Sequence, residues 1–156
     1  MANNPVKWSA LGAVVNLFAG ATLQNKAAAA ISALSAEVDN SQGNQYADFV
    51  LTWNPVSTPA AGGYVSVWLV KAMDGANYET LLGATLIPQR PANIIFPIGS
   101  EGSSAHVTQR ITIGPVLLPP GKFKAVVQNN TSVATEDSSG VSLLDMYPYN
   151  DNLLTA

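Results

Sequence analysis

The sequence predicts an all-β fold, an antiparallel β-sandwich with a jelly-roll-like form, and three observations support it. Apolar and polar residues alternate in short runs, a period of two that places successive side chains on opposite faces of a strand. Clusters of Pro, Gly, Asn, Asp and Ser separate these runs at regular intervals. No helical units alternate with the strands, so a parallel α/β sheet is not expected.

Two long strands are predicted near the middle of the chain. In the run 46–53, one face carries Ala47, Phe49, Leu51 and Trp53. In the run 64–71, one face carries Val65, Val67 and Leu69. The segment between them contains two prolines, which lack a ladder N–H, and the pair Gly62-Gly63, which tolerates the positive φ of a turn. It therefore connects two separate strands.

Further strands bring the expected total to about eight or nine, a number that suits a sandwich. Their predicted ranges are 81–87, 93–98, 106–113, 122–128 and 141–146. The segment 31–39 fits both a helical face and an alternating strand. We favour the strand, and helix versus strand over residues 21–39 stays open.

A corner is predicted where the sequence reads Leu118-Pro119-Pro120-Gly121. Pro120 and Gly121 suit the two central positions of a type II turn, because Pro sets φ at the first and Gly takes positive φ at the second. The residues after it alternate, with Phe123, Ala125 and Val127 on the expected core side. We interpret the corner as scaffold that sets strand register.

One domain is expected over residues 1–156, because this length suits a single hydrophobic core. Residues 1–10 and 147–156 have no periodic pattern and are interpreted as N-terminal and C-terminal arms. Side chains of the arms are the first candidates for contacts with neighbouring molecules: Trp8, Tyr147, Tyr149, Leu153 and Leu154.

The charge content is low, at 11% of residues against roughly 25% in ordinary soluble domains. The net charge is −3, and the seven Lys and Arg residues are scattered, which argues against nucleic-acid binding. A weakly charged surface suits a subunit packed against other proteins. The start of the chain lacks a secretory pattern, and the apolar run 11–23 is too short and too broken for a membrane span.

The sequence has few residues that could serve catalysis or metal binding. There are no cysteines and one histidine, His106, which we interpret as a loop or edge residue rather than a catalytic base. The loop from Asp74 to Glu79 faintly resembles an oxygen-rich Ca²⁺ loop, but it lacks the required spacing, and Asp-Gly is a common tight turn. We therefore expect no enzyme activity, no metal and no cofactor.

Aromatic and basic side chains outside the predicted core are candidates for contacts. Tyr78, Tyr147 and Tyr149 would serve a protein interface or a sugar-stacking site equally well. Lys122 and Lys124 lie on the polar side of their predicted strand and are candidates for contact with an acidic neighbour.

Four segments, in order, carry a resemblance to a known group of proteins. They read Tyr46-Ala47-Asp48-Phe49, Pro59-Ala60-Ala61-Gly62-Gly63-Tyr64-Val65, Met73-Asp74-Gly75-Ala76-Asn77-Tyr78 and Leu118-Pro119-Pro120-Gly121-Lys122-Phe123-Lys124. Over roughly residues 39–131 the chain resembles small virion structural proteins of tailed bacteriophages. The pattern carries no catalytic residues.

The resemblance implies a component of a virus particle. Small all-β proteins of this length are similar to capsid decoration (cement) proteins, which bind outside the major capsid lattice. The expected partners are the major capsid protein and other copies of this chain, as a dimer or trimer, on the outer surface of the virion after synthesis in the host cytoplasm. The alternatives are a tail or baseplate component and a host-glycan-binding β-sandwich module.

Overall fold

The computed structural model describes residues 6–8, 11–18, 23, 27–32, 34–78, 90–100, 107–135 and 142–153. These residues form ten strands: β1 (Val6–Trp8), β2 (Val15–Asn16), β3 (Val38–Asn40), β4 (Tyr46–Trp53), β5 (Tyr64–Lys71), β6 (Ile94–Pro97), β7 (Gln109–Leu117), β8 (Gly121–Asn130), β9 (Leu143–Tyr149) and β10 (Asp151–Leu153). Within the described ranges there is no helix, so none that could cross a membrane.

Eight of the strands form two packed antiparallel sheets, which confirms the predicted β-sandwich. The front sheet has the strand order β2-β9-β4-β7, and the back sheet has the order β3-β8-β5-β6. β1 and β10 pair with each other as a third, two-stranded sheet. The jelly-roll form stays a prediction.

The main core fills the space between the front and back sheets. The core faces predicted for β4, β5 and β8 are confirmed, because their apolar residues are buried there. The fully enclosed large side chains include Phe49, Leu51, Trp53, Phe96, Phe123, Leu144 and Met146. Each contributes on the order of 1.5–3 kcal/mol to the free energy of folding through its removal from water.

The back sheet is buried on its outer face as well. Trp68, Val70 and Val126 form a second buried cluster there, which we call the outer cluster. Four partly buried residues cover it: Ile31, Leu34, Tyr78 and Ala92. This double burial explains why β5 has six consecutive buried residues instead of strict alternation.

The strand predicted over 31–39 is present only at its end, as β3. Before β3 the chain runs along the edge of β8 without regular pairing, and Ile31 forms a single bridge with Gln128. Two buried serines replace a regular ladder. The Ser32 and Ser35 hydroxyls accept the Val127 and Ala125 amides at 2.9 and 2.8 Å. Side-chain oxygens thus complete the edge where a strand was expected.

Other strand boundaries also differ from the prediction, and the largest differences are at β7 and β9. β7 starts at Gln109 and runs to Leu117, four residues further than expected, because its pairing with β4 resumes after a register shift and continues to Leu117. β9 continues through Tyr149, again because β4 pairs with it. Residues 147–149, assigned to the C-terminal arm, are therefore part of the front sheet. The strand predicted over 81–87 lies outside the described residues.

The Pro-Pro-Gly corner passes between the two sheets. It joins β7 in the front sheet to β8 in the back sheet, so it does not close a hairpin. Gly121 has a φ of 76°, the positive value predicted for the second central position of the turn. Asn40 holds the corner in place, since its Nδ2 donates to the Pro119 carbonyl at 3.0 Å.

Candidate interaction surfaces

The outer face of the back sheet brings three of the predicted interface residues together: Tyr78, Lys122 and Lys124. Lys122 Nζ lies 2.8 Å from Glu37 Oε1, and the Tyr78 hydroxyl donates a hydrogen bond to Glu37 Oε2. Lys124 Nζ lies 4.5 Å from the centre of the Tyr78 ring, a cation–π contact. We call these four residues the Glu37 cluster.

Electrostatics within the Glu37 cluster are mutually supportive. Hydrogen bonds from Lys122 and Tyr78 lower the pKa of Glu37, and the bond to Glu37 raises the pKa of Lys122. Burial, followed by the hydrogen bond to Glu37, raises the pKa of Tyr78 to about 12. The acidic partner of Lys122 therefore belongs to the same chain, and the sequence pattern missed Glu37 because it lies 85 positions away from Lys122.

The loop before Tyr78 positions its ring. Asp74 Oδ1 accepts the Ala76 and Asn77 amides at 3.0 and 2.7 Å, and Asn77 Nδ2 donates to Asp74 Oδ2 at 2.6 Å. Gly75 takes a φ of 85° at the tip. These bonds lower the pKa of Asp74 to about 2. Both oxygens of the Asp74 carboxylate already accept hydrogen bonds from within the turn. This arrangement supports the tight-turn interpretation over the Ca²⁺ loop.

The other tyrosines of the prediction lie on the front sheet, away from the Glu37 cluster. Tyr149 is buried, its ring is stacked on Tyr46 with centroids 6.1 Å apart, and its hydroxyl donates to Asp48 Oδ1 at 3.1 Å. Tyr147 is half-buried and pairs across the ladder with Asp48. Of the three candidate stacking rings, Tyr78 has one face under Lys124 and Tyr149 is buried against Tyr46.

The strands β1 and β10 form a two-stranded ribbon that belongs to neither the front sheet nor the back sheet. Val6 pairs with Leu153 and Trp8 with Asp151. β4 begins at Tyr46, opposite Tyr149, so it provides no partner for β10. The predicted arm residues Trp8 and Leu153 therefore lie in the same two-stranded sheet, at opposite ends of its ladder. Leu154 lies outside the described residues. We call β1 and β10 the terminal ribbon.

The β7 edge of the front sheet was not predicted as a surface. Among the described strands, β7 pairs only with β4. Its core-facing residues Ile111 and Ile113 are only partly buried, and Arg110 and Leu117 are exposed. The sequence indicated a strand here, but an edge strand and a central strand have the same alternation.

Large apolar side chains are exposed at several places on the described surface. The most exposed are Met73, Leu117, Leu11, Val14 and Ile95. Single exposed apolar residues are normal, and the low charge content of 11% makes this surface better suited to protein contacts than a highly charged one.

Among the described residues, no group of three His, Cys, Asp or Glu is placed to hold a metal ion. His106 lies outside the described residues, so its predicted role stays untested. Comparison with family models, with curated proteins and with solved structures finds no match for this chain.

Proposed function

We propose that this chain is a structural protein of a tailed-bacteriophage virion, which binds the major capsid lattice from outside and stabilises the head. Support comes from the order of the four sequence segments described above, from the low charge and from the β-sandwich. The chain would act without a cofactor, by contact alone, on the outer surface of the capsid after synthesis in the host cytoplasm.

The observation that carries the proposal is the terminal ribbon. A two-stranded sheet by itself is marginally stable in water. The ribbon belongs to neither packed sheet and has no third strand among the described residues. Packing against the capsid lattice would stabilise such an element, so we assign to it the reaching contact between one capsid subunit and the next.

Stabilisation of the shell would follow from simple linkage. A protein that binds only the assembled lattice favours that state by mass action. Because one copy touches more than one capsid subunit, the second contact forms at a high effective concentration, and weak individual contacts add up to tight binding. The rigid sandwich between the contacts transmits the restraint from one subunit to the other.

The alternative position on the particle is the tail or baseplate, and the related function there is host-glycan binding. Sugar stacking needs an open aromatic face. The Tyr78 ring carries Lys124 on one face and covers the outer cluster, and Tyr149 is buried, so the geometry favours protein contacts over a glycan site. Tyr147, half-buried beside Asp48, is the ring on which a glycan proposal would rest.

Two experiments test the proposal. Cryo-electron microscopy of intact particles should show the sandwich in lattice-like copies on the head. A few copies at the tail would establish the alternative, and absence from purified particles would overturn both.

The second experiment measures binding of the purified protein to undecorated shells. Replacement of β1 by a Gly-Ser-Gly segment should weaken binding by about tenfold or more, because the ribbon can no longer form. Met73→Ser, a change at an exposed residue outside the ribbon, is the matched control and should bind as the unaltered chain does. Equal affinity of the ribbon variant would rule out the assigned role of the ribbon.

A further inference from the structure

β7 has the features of an edge that accepts another strand. It is nine residues long, and among the described strands only β4 pairs with it. Its core-facing Ile111 and Ile113 pack against the main core but remain partly exposed. An unpaired edge of this kind is a template for strand addition. We propose that β7 pairs antiparallel with β7 of a second copy of this chain, which joins two front sheets into one.

The register of this pairing follows from the residues of β7. With the two-fold axis at Thr112, Ile111 of each copy lies opposite Ile113 of the other. The half-exposed isoleucines of the two copies would then cover each other on the core-facing side. Thr112 of one copy would lie opposite Thr112 of the other. In the same register, Arg110 lies opposite Gly114. The next residue, Pro115, lacks an N–H and would end the ladder.

Charge complementarity selects this register over its neighbours. Asp48, on β4, places its carboxylate over Gly114: a β-carbon at Gly114 would stand 1.9 Å from Asp48 Oδ1. Arg110 is exposed on the same outer face, because it pairs with Thr52, four positions along β4 from Asp48. It forms no ion pair with any residue that the structure describes.

In the proposed dimer, each Arg110 would reach the Asp48 carboxylate of the other copy. Directly opposed residues have β-carbons about 5 Å apart, and here the Asp48 carboxylate occupies the place of the missing Gly114 side chain. The two-fold axis produces this contact twice. A two-fold strand pairing also closes on itself, so it yields a dimer and not a fibre.

This dimer does not depend on the proposed function. Failure of the dimer would leave shell binding through the terminal ribbon unaffected, and failure of shell binding would leave the dimer unaffected. The two surfaces lie on different elements, so variants of β7 and of the ribbon distinguish them.

Sedimentation of the full chain over a concentration series tests the pairing. The unaltered protein should dimerise. Arg110→Glu should weaken the dimer by about tenfold or more, because two carboxylates would then face each other at each contact. Asp48→Asn should also weaken it, and both effects should shrink at high salt. Lys71→Glu is the charge-matched control, at an exposed position on β5, and should leave the dimer unchanged.

A cross-link gives the register independently. The chain has no cysteine, so Thr112→Cys introduces a single thiol on the proposed axis. Mild oxidation should give a rapid disulfide-linked dimer. Leu117→Cys places an equally exposed thiol on the same strand, on the order of 30 Å from its counterpart, and should not cross-link. A monomeric unaltered chain, or equal cross-linking of the two variants, would overturn the proposal.

Discussion

The carboxylate of Asp48 lies directly against the backbone of Gly114. A β-carbon built on Gly114 would stand 1.9 Å from Asp48 Oδ1 and 3.0 Å from Asp48 Cα. The pairing of β4 with β7 shifts at this point, between Ala47 and Phe49. The irregularity re-aims the Asp48 side chain across the neighbouring strand, which is a common consequence of a bulge. The position of the Asp48 carboxylate over Gly114 is also the feature on which the proposed dimer depends.

Gly114→Ala should destabilise the fold by about 2 kcal/mol, because the added methyl group would overlap the Asp48 carboxylate, which the Tyr149 hydroxyl also holds. A rotamer change of Asp48 would not remove the contact with Asp48 Cα at 3.0 Å. Urea unfolding at a fixed protein concentration measures this loss. Gly63→Ala is the control, since its β-carbon would have nearest neighbours at 3.4 Å, and it should cost much less.

A second variant identifies the cause. In an Asp48→Ala background, Gly114→Ala should cost less than in the unaltered chain, because the overlapping oxygen is gone. Equal costs in the two backgrounds would show that the backbone of β4, and not the carboxylate, excludes a side chain at position 114.

Ser32→Ala and Ser35→Ala should each reduce the free energy of unfolding by about 1–3 kcal/mol, because each leaves a buried amide of β8 without its acceptor. Ser57→Ala is the matched control at a half-buried position on a different segment. Chemical denaturation of the three variants gives the comparison. A loss at Ser57 as large as at Ser32 would contradict the assigned role of the two hydroxyls.

Tyr78 should titrate late, with a pKa of about 12 against an ordinary 10, because of burial and its hydrogen bond to Glu37. The neutral phenol is favoured in the folded state, so its contribution to stability is complete below pH 10 and is lost as the pH rises towards 12. Absorbance titration of tyrosinate should show this late step, and Tyr78→Phe should remove it. Tyr64→Phe, a change at an exposed ring, should leave it in place.

Asp74 should titrate well below the ordinary range, at about 2 against 3.8. Its charged form accepts the hydrogen bonds of the turn, so this contribution to stability is complete above pH 3.8 and is lost as the pH falls towards 2. Carboxyl carbon shifts in an NMR titration measure the pKa. Asn77→Ala should move it upwards by removing the side-chain donor, and an unchanged value would contradict the assigned cause.

The alternation of apolar and polar residues and the positions of the turn residues were sufficient to predict the sandwich. Both signals act within a few residues, through the two-residue period of a strand and the backbone preferences of Pro and Gly. The core faces of β4, β5 and β8 and the positive φ of Gly121 were predictable for this reason. The failures occurred where distant segments decided the outcome. β9 extends through Tyr149 because it pairs with β4 as far as that residue. The sequence of residues 147–149 has no alternation that would indicate this pairing.

The candidate surfaces show the same division. The sequence by itself determined that Phe123 faces the core while Lys122 and Lys124 face away from it, since neighbouring positions on a strand point to opposite sides. Only the tertiary structure decided which partners they contact: Glu37 and Tyr78 both come from segments much earlier in the chain. It likewise decided that β7 is an edge and that Asp48 lies over Gly114, because sheet order and strand register depend on contacts between segments that the local pattern does not encode.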